Sequence, residues 1–159
     1  MNAKRVESHS QALTFLLLST KFGLDGHSID DCYTDGGNDL GVDAIHISRF
    51  GNYPSVNVIQ SKCYSSARKA ANPFKISAVR KFRDFLHAVK NRDADLSKIS
   101  NGVLAAKIDE IRELQEREFP IFRLWIISNG QRCQARDIEE FSQEALKLDA
   151  EVTEFHLSE

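Results

Sequence analysis

Asp43, Gln60 and Lys62 are the residues of this 159-residue chain whose types and spacing point most directly to chemistry. They lie in two short segments that read as strands. Asp43-Ala44-Ile45-His46-Ile47-Ser48 alternates with period two, and Val56-Asn57-Val58-Ile59-Gln60-Ser61-Lys62 does so for most of its length. Gly51-Asn52 between them reads as a hairpin loop. Residues i and i+2 of a strand share a face, so Gln60 and Lys62 point the same way. A loop centred near Asn52 sets Asp43 opposite Ser61, to within one residue, and so beside Gln60 or Lys62 on their face. Ile45, Ile47, Val56 and Val58 share that face toward the loop, so one end should be core and the other a polar site. A carboxylate, an amide oxygen and an ammonium then converge. Mg²⁺ takes oxygen ligands, one or two carboxylates with waters and substrate phosphate. Asp43 supplies the charge, Gln60 Oε1 a neutral oxygen and the Ser61 carbonyl another. Lys62 would orient or deprotonate a water and stabilise charge growing on a phosphorane-like oxygen. The competing reading of the trio is a solvated polar end of a hairpin.

The elements around the trio follow from periodicity. Residues 6–22 read as a first helix, with Val6, Leu13, Leu16 and Leu17 near helical spacing and Gly23 ending the run. Glu7, Gln11 and Thr14 form another stripe of it, and Glu7 in its first turn also suits the helix dipole. Residues 30–39 read as a short strand running into a turn cluster, Asp35-Gly36-Gly37-Asn38-Asp39, where glycine, Asp and Asn favour positive φ. Asp35 and Asp39 read first as turn formers. After a loop with Pro73, residues 77–91 read as a helix with Val79, Phe82, Leu86 and Val89 on its apolar face. A second long helix covers residues 102–118, with Leu104, Ile108, Ile111 and Leu114, and Pro120 closes that region. Residues 121–128 read as a buried strand, residues 137–147 as a helix and residues 152–157 as a last edge strand. The order implies an α/β fold, a small mixed sheet flanked by helices.

Composition bounds the function. At 42% hydrophobic and 28% charged the chain can bury a core as one domain, residues 1–159. The longest apolar stretch, residues 13–18, is far too short to span a bilayer, so no membrane partner is expected. No basic stretch and apolar run of a secretory signal opens the chain, and Cys32, Cys63 and Cys133 lack CxxC spacing, so a cytoplasmic location is expected. The five histidines have no HxH or HExxH spacing, which leaves zinc without an anchor. No phosphate-binding GxxxxGK[ST] loop or GxSxG elbow is present.

The net charge of −2 hides a strong pattern. Residues 62–92 hold nine basic residues against Asp84, about +8, and residues 137–159 hold eight acids against Lys147, about −7. Arg68, Lys69, Lys75, Arg80, Lys81 and Arg83 therefore read as a nucleic-acid backbone track beside the trio, with a solvated helix face as the competing reading. The acidic C-terminal segment suggests pairing with the basic helix of a neighbour, hence a homodimer.

Asp35-Gly36-Gly37-Asn38-Asp39-Leu40-Gly41-Val42-Asp43-Ala44 followed by Gln60-Ser61-Lys62 resembles the PD-(D/E)xK nuclease superfamily, in particular its QxK branch of Mrr-like restriction endonucleases. The DGGNDLGVDA wording, the QSK strand, the two following helices and the apolar strand ending Ile127-Ser128-Asn129-Gly130 look most like the N-terminal domain of abortive-infection phage-resistance proteins of the AIPR type. The resemblance spans nearly the whole chain. It implies a restriction-endonuclease-like αβββαβ core and Mg²⁺- or Mn²⁺-dependent hydrolysis of DNA phosphodiesters in prokaryotic anti-phage defence. It places the family aspartate on Asp43, the (E/Q)xK motif on Gln60 and Lys62, and the frequent first-helix glutamate on Glu7. The implied catalytic set is Asp43, Gln60, Lys62 and Glu7, and the metal set Asp43, Gln60, Glu7 and Ser61. Proteins of the AIPR type are usually much longer, which makes this chain the nuclease module of such an architecture, with further domains or defence partners. Gln60 stands where an acid is common, which removes one ligand charge. The alternative is therefore a catalytically inactive module of the same fold that binds DNA or a partner protein.

Overall fold

The computed structural model describes residues 8–156. In chain order the elements are α1 (His9–Phe22), α2 (Gly26–Cys32), β1 (Ala44–Ser48), β2 (Ser55–Lys62), α3 (Ala67–Ala70), α4 (Ile76–Lys90), α5 (Leu96–Ile99), α6 (Gly102–Arg117), β3 (Ile121–Ser128), α7 (Ala135–Lys147) and β4 (Ala150–His156). The strands form one mixed sheet in the order β1-β2-β3-β4, with β1 antiparallel to β2 and the other neighbours parallel. The α/β expectation holds as a four-stranded mixed sheet flanked by helices. No helix among the described residues is long and apolar enough to cross a membrane.

Period-two alternation sorts the sheet residues onto two cores. Ile45, Val56, Val58, Phe122, Leu124 and Ile126 point to one face, where α4, α6 and α7 cover them with Phe82, Leu86, Ile108, Ile111 and Phe141. Ala44, Ile59, Trp125 and Ile127 point to the other, under Leu13, Leu17 and Leu18 of α1 and Ile29 of α2. β2 is buried on both faces from Ser55 to Ser61, and only its last residue, Lys62, is exposed. Its one mid-strand amide, Asn57, is 1% exposed and fully used. Its Oδ1 accepts from Trp125 Nε1 at 3.1 Å, and its Nδ2 donates to the His46 carbonyl and Ser55 Oγ, both at 3.3 Å. A buried amide that engages both ends fixes the relative position of three strands.

Helix ends follow local chemistry. Ser8 Oγ accepts from Gln11 N at 3.0 Å to cap α1, and Gly23 ends it at φ +67 with its N–H turned back on Ser19 O. Asn101 Oδ1 caps α6 through Leu104 N at 2.9 Å.

The strand expected from residue 30 is not formed. Asp25 Oδ1 accepts from Ser28 N at 2.9 Å and starts α2, whose Ile29 and Cys32, three apart, seat on the α1 core. Past this helix only a single bridge forms, Tyr33 to Ala44. The N–H groups of Thr34 and Asp35 both end on the Asp43 carbonyl, at 2.9 and 3.2 Å, and the ladder stops there. The hairpin register pairs Ala44 with Ile59, one residue short of the expected pairing, so Asp43 lies beside Gln60.

Leu18 is the one large side chain of α1 that is fully buried. Leu18→Ala should cost about 2–5 kcal/mol. Urea unfolding should show a lower midpoint with an unchanged slope.

Candidate active site

Where β2 ends, a cleft of about 270 Å³ opens between the sheet and the first turn of α4. Asp43, Gln60, Lys62, Tyr64, Lys75 and Lys81 contribute to its walls. The three residues singled out by spacing are therefore brought together, at the carboxyl end of a strand that is parallel to its neighbour β3.

Asp43 is held by the strand opposite it. Its Oδ2 accepts from Ser61 N at 2.5 Å and from Ser61 Oγ at 2.8 Å. The carboxylate thus takes the backbone donor that a continuing β1 would have taken. Ser61 Oγ also receives the Thr14 hydroxyl at 2.8 Å and lies 3.1 Å from the Ser10 carbonyl. Ser10 Oγ accepts from Cys63 N at 2.9 Å. The first turns of α1 are thereby tied to the end of β2. Sequence reasoning offered the Ser61 carbonyl as a ligand. The Ser61 side chain and amide support the Asp43 carboxylate.

Asp35 and Asp39, read from sequence as turn formers, come to Asp43. Carboxylate oxygens of the three lie within 4.8 Å of one another. Each is fixed separately. Tyr33 Oη donates to Asp35 Oδ2 at 2.6 Å, and Gly41 N donates to Asp39 Oδ1 at 2.8 Å. Asn101 anchors the loop from α6, through Nδ2 to the Thr34 carbonyl at 2.8 Å and its own N–H to the Asn38 carbonyl at 3.1 Å. The loop carries left-handed backbone at two non-glycine residues, Asn38 (φ +62) and Leu40 (φ +56). Leu40 is an unfavourable residue there, and its side chain packs on the main core. Gly41 follows at φ +78, and a Cβ on it would lie 3.1 Å from Lys81 Cβ and 3.3 Å from Gln60 Nε2. The loop therefore needs glycine where it meets the amide and the helix. The acidic spacing 35, 39, 43 was visible in the sequence, but its meeting depends on this turn.

Gln60 is 6% exposed, and its Oε1 is buried with no hydrogen-bond partner. A buried amide oxygen left unpaired is costly, and here it belongs to a residue lining the cleft beside the acids. Three carboxylates and a neutral amide oxygen, with no nitrogen or sulfur ligand among them, suit a hard divalent cation. Burial pushes the Asp43 carboxyl up from 3.8 to about 6, with Asp35 and Asp39 adding to the rise and the Ser61 bonds opposing it. Glu7, the remaining expected ligand, lies outside the described residues.

Opposite the acids the cleft is basic. Lys62, Lys75 and Lys81 line it and are exposed. Lys75 occupies the N-cap position of the 15-residue α4, and no side chain caps that terminus. Ser77, in the first turn, also lines the cleft, so helix amide groups and three ammonium groups surround a space fit for an anion. The basic tract is split, however. Arg68 and Lys69 stand exposed on α3. Arg80 and Arg83 line a different depression, against Asp137, Glu140 and Glu144 of α7. Arg83 lies 3.7 Å from Glu144 and 3.0 Å from Asp84. Arg83 of the basic helix thus faces an acid of α7 within the same chain.

The raised Asp43 pKa has a stability consequence. The folded state holds a proton that the unfolded chain releases, so stability should fall as pH rises from about 4 to about 6 and stay reduced above that. With its half-buried position discounting the effect to about 1–2 kcal/mol, Asp43→Asn should raise the Tm in chelator above pH 7 by about 2–6 °C and make no difference below pH 4. Millimolar Mg²⁺ or Mn²⁺ should raise the wild-type Tm and leave the variant's unchanged. Differential scanning fluorimetry across pH checks both. No protein-family model, curated protein or solved structure matches the chain.

Proposed function

We propose that this domain is a Mg²⁺- or Mn²⁺-dependent endonuclease that hydrolyses DNA phosphodiester bonds, a PD-(D/E)xK enzyme of the QxK branch, acting in prokaryotic anti-phage defence as in the AIPR-type proteins it resembles. The observation that carries this reading is the meeting of Asp43, Gln60 and Lys62 on one cleft, with the Gln60 amide oxygen buried and unpartnered. The arrangement of elements supports it too. Helix α1, β1, β2, α4 and β3 come in an order compatible with an αβββαβ core, although only the single Tyr33–Ala44 bridge stands where that core has its first strand.

Asp43, Asp39, Asp35 and Gln60 would hold the cation, with Glu7 as a further ligand. The bound metal would polarise a phosphate oxygen and acidify a coordinated water. The chain's own groups do the rest. The exposed first turn of α4, Lys75 and Lys81 bind the phosphate on either side of the scissile bond. Lys62 donates to the attacking water or to the oxygen on which charge builds. The water loses a proton to solvent as its oxygen bonds to phosphorus, the P–O ester bond breaks, and the leaving alkoxide takes a proton from solvent, so that protons balance. The Ser61 hydroxyl and amide keep Asp43 in place throughout.

The missing acid at Gln60 favours the second reading, a module that binds DNA without cutting it. Asp35 and Asp39 return negative charge to the same spot, which is why catalysis is preferred. Plasmid nicking titrated with Mg²⁺ and Mn²⁺ separates the two. Cleavage should appear with metal and drop at least about 100-fold in Lys62→Ala and in Asp43→Ala. Equal cutting by wild type and both variants would remove the assignment, and salt-sensitive binding with no metal-dependent cutting would establish the non-catalytic module.

A further inference from the structure

A second groove, of about 490 Å³, opens beside the cleft and shares Gly41 and Lys81 with it. It holds one ammonium group where the cleft holds three. Leu40, Ala88 and Ile99, the last 56% exposed, give it accessible apolar surface over the buried Phe85 and Leu96. Asp84 and Asp93 bring carboxylates, Asp39 of the acidic cluster stands at its edge, and Lys81 is the one cation in the lining. Its far wall is built in place. Arg112 of α6 donates to the Asp93 carbonyl and, at 2.7 Å, to Ser97 Oγ, and so pins the short helix α5 against α6. Asp84 spends only Oδ1 on Arg83, through Nε at 3.1 Å and Nη2 at 3.0 Å.

Apolar walls with carboxylates on them repel phosphate. They suit a flat ring that packs on aliphatic groups and presents N–H donors at its edge. A nucleobase with an exocyclic amino group has that form. We propose that the groove receives an unstacked adenine, cytosine or guanine from the strand whose phosphate occupies the neighbouring cleft, with the aliphatic stem of Lys81 as the divide between base and phosphate. Thymine, which carries no amino group, would be held less well. This subsite rests on the nucleic-acid reading of the cleft. It adds the class of substrate: a strand with at least one base free of its duplex.

Binding in chelator tests it without recourse to cleavage. Fluorescence anisotropy would compare labelled single-stranded decamers of deoxyadenosine, deoxycytidine, thymidine and abasic sites. The wild type should prefer the adenine and cytosine decamers over thymidine and abasic ones by at least about fivefold. Ala88→Trp, which fills the groove, and Asp84→Ala, at an exposed position, should each reduce that preference to within twofold while abasic binding persists. Equal binding of all four decamers by wild type, or full preference in both variants, would overturn the subsite. Metal-dependent cutting without base preference would remove the groove and leave the nuclease standing. Preference without cutting would do the opposite, and no binding of any decamer would remove both.

Discussion

The Asp43 carboxylate is bound to the one residue of β2 that faces α1 at the end of the sheet, and much of the site hangs on that contact. Ser61 gives it an amide and a hydroxyl, at 2.5 and 2.8 Å. The same hydroxyl is the acceptor for Thr14, so α1, β1 and β2 meet at one hydrogen-bonded point. Charge-assisted bonds of this kind are stronger than neutral ones, and a low local dielectric strengthens them further. The arrangement has a geometric effect as well. Because Asp43 uses its side chain where a strand would use its backbone, the chain is free to leave the sheet edge at that residue. The incoming Tyr33–Asp35 segment then closes on the Asp43 carbonyl, and the acidic loop arrives beside the cleft.

Charge is sorted by the same fold. The basic tract looks continuous in sequence, but successive residues of α4 point to different neighbours. Lys81 faces the cleft, while Arg80 and Arg83 meet the acids of α7. Surface pairs such as Arg83–Glu144 contribute little stability at their exposure. Their effect is to offset charge on that side of the helix, while Lys62, Lys75 and Lys81 stay at the cleft and Arg68 and Lys69 on α3. A net charge of −2 is the sum of these separate faces and says nothing against a polyanionic partner.

Much of this was legible in the sequence, for identifiable reasons. Gln60 and Lys62 could be placed on one face because period two is a property of any strand, and Asp43 could be set beside them because a short hairpin limits register. The one-residue error in pairing was within what a loop of unknown turn type permits. The helix at 26–32 was missed because a seven-residue helix shows barely two turns of periodicity; its cap at Asp25 and its buried pair, Ile29 and Cys32, gain meaning only under α1. Asp35 and Asp39 were read as turn residues, which they are. Their second property, convergence on Asp43, comes from left-handed Asn38 and Leu40 and from Asn101 some sixty residues further on, and no local pattern encodes it. The orphaned oxygen of Gln60 is a tertiary fact of the same sort.

The acidic cluster and the orphaned amide oxygen make the apo site an unfavourable arrangement. Three carboxylates within 4.8 Å of one another repel, burial resists the ionisation of Asp43, and Gln60 Oε1 lacks a donor. Each defect alone has a simple remedy by substitution: Asn for one acid, or an apolar residue for the amide. A single added species that carries positive charge and accepts only oxygen lone pairs would relieve all three together. Local conflicts of this kind concentrate where a fold holds groups ready for a ligand, and the rest of the structure, with its two filled cores and satisfied Asn57, offsets them.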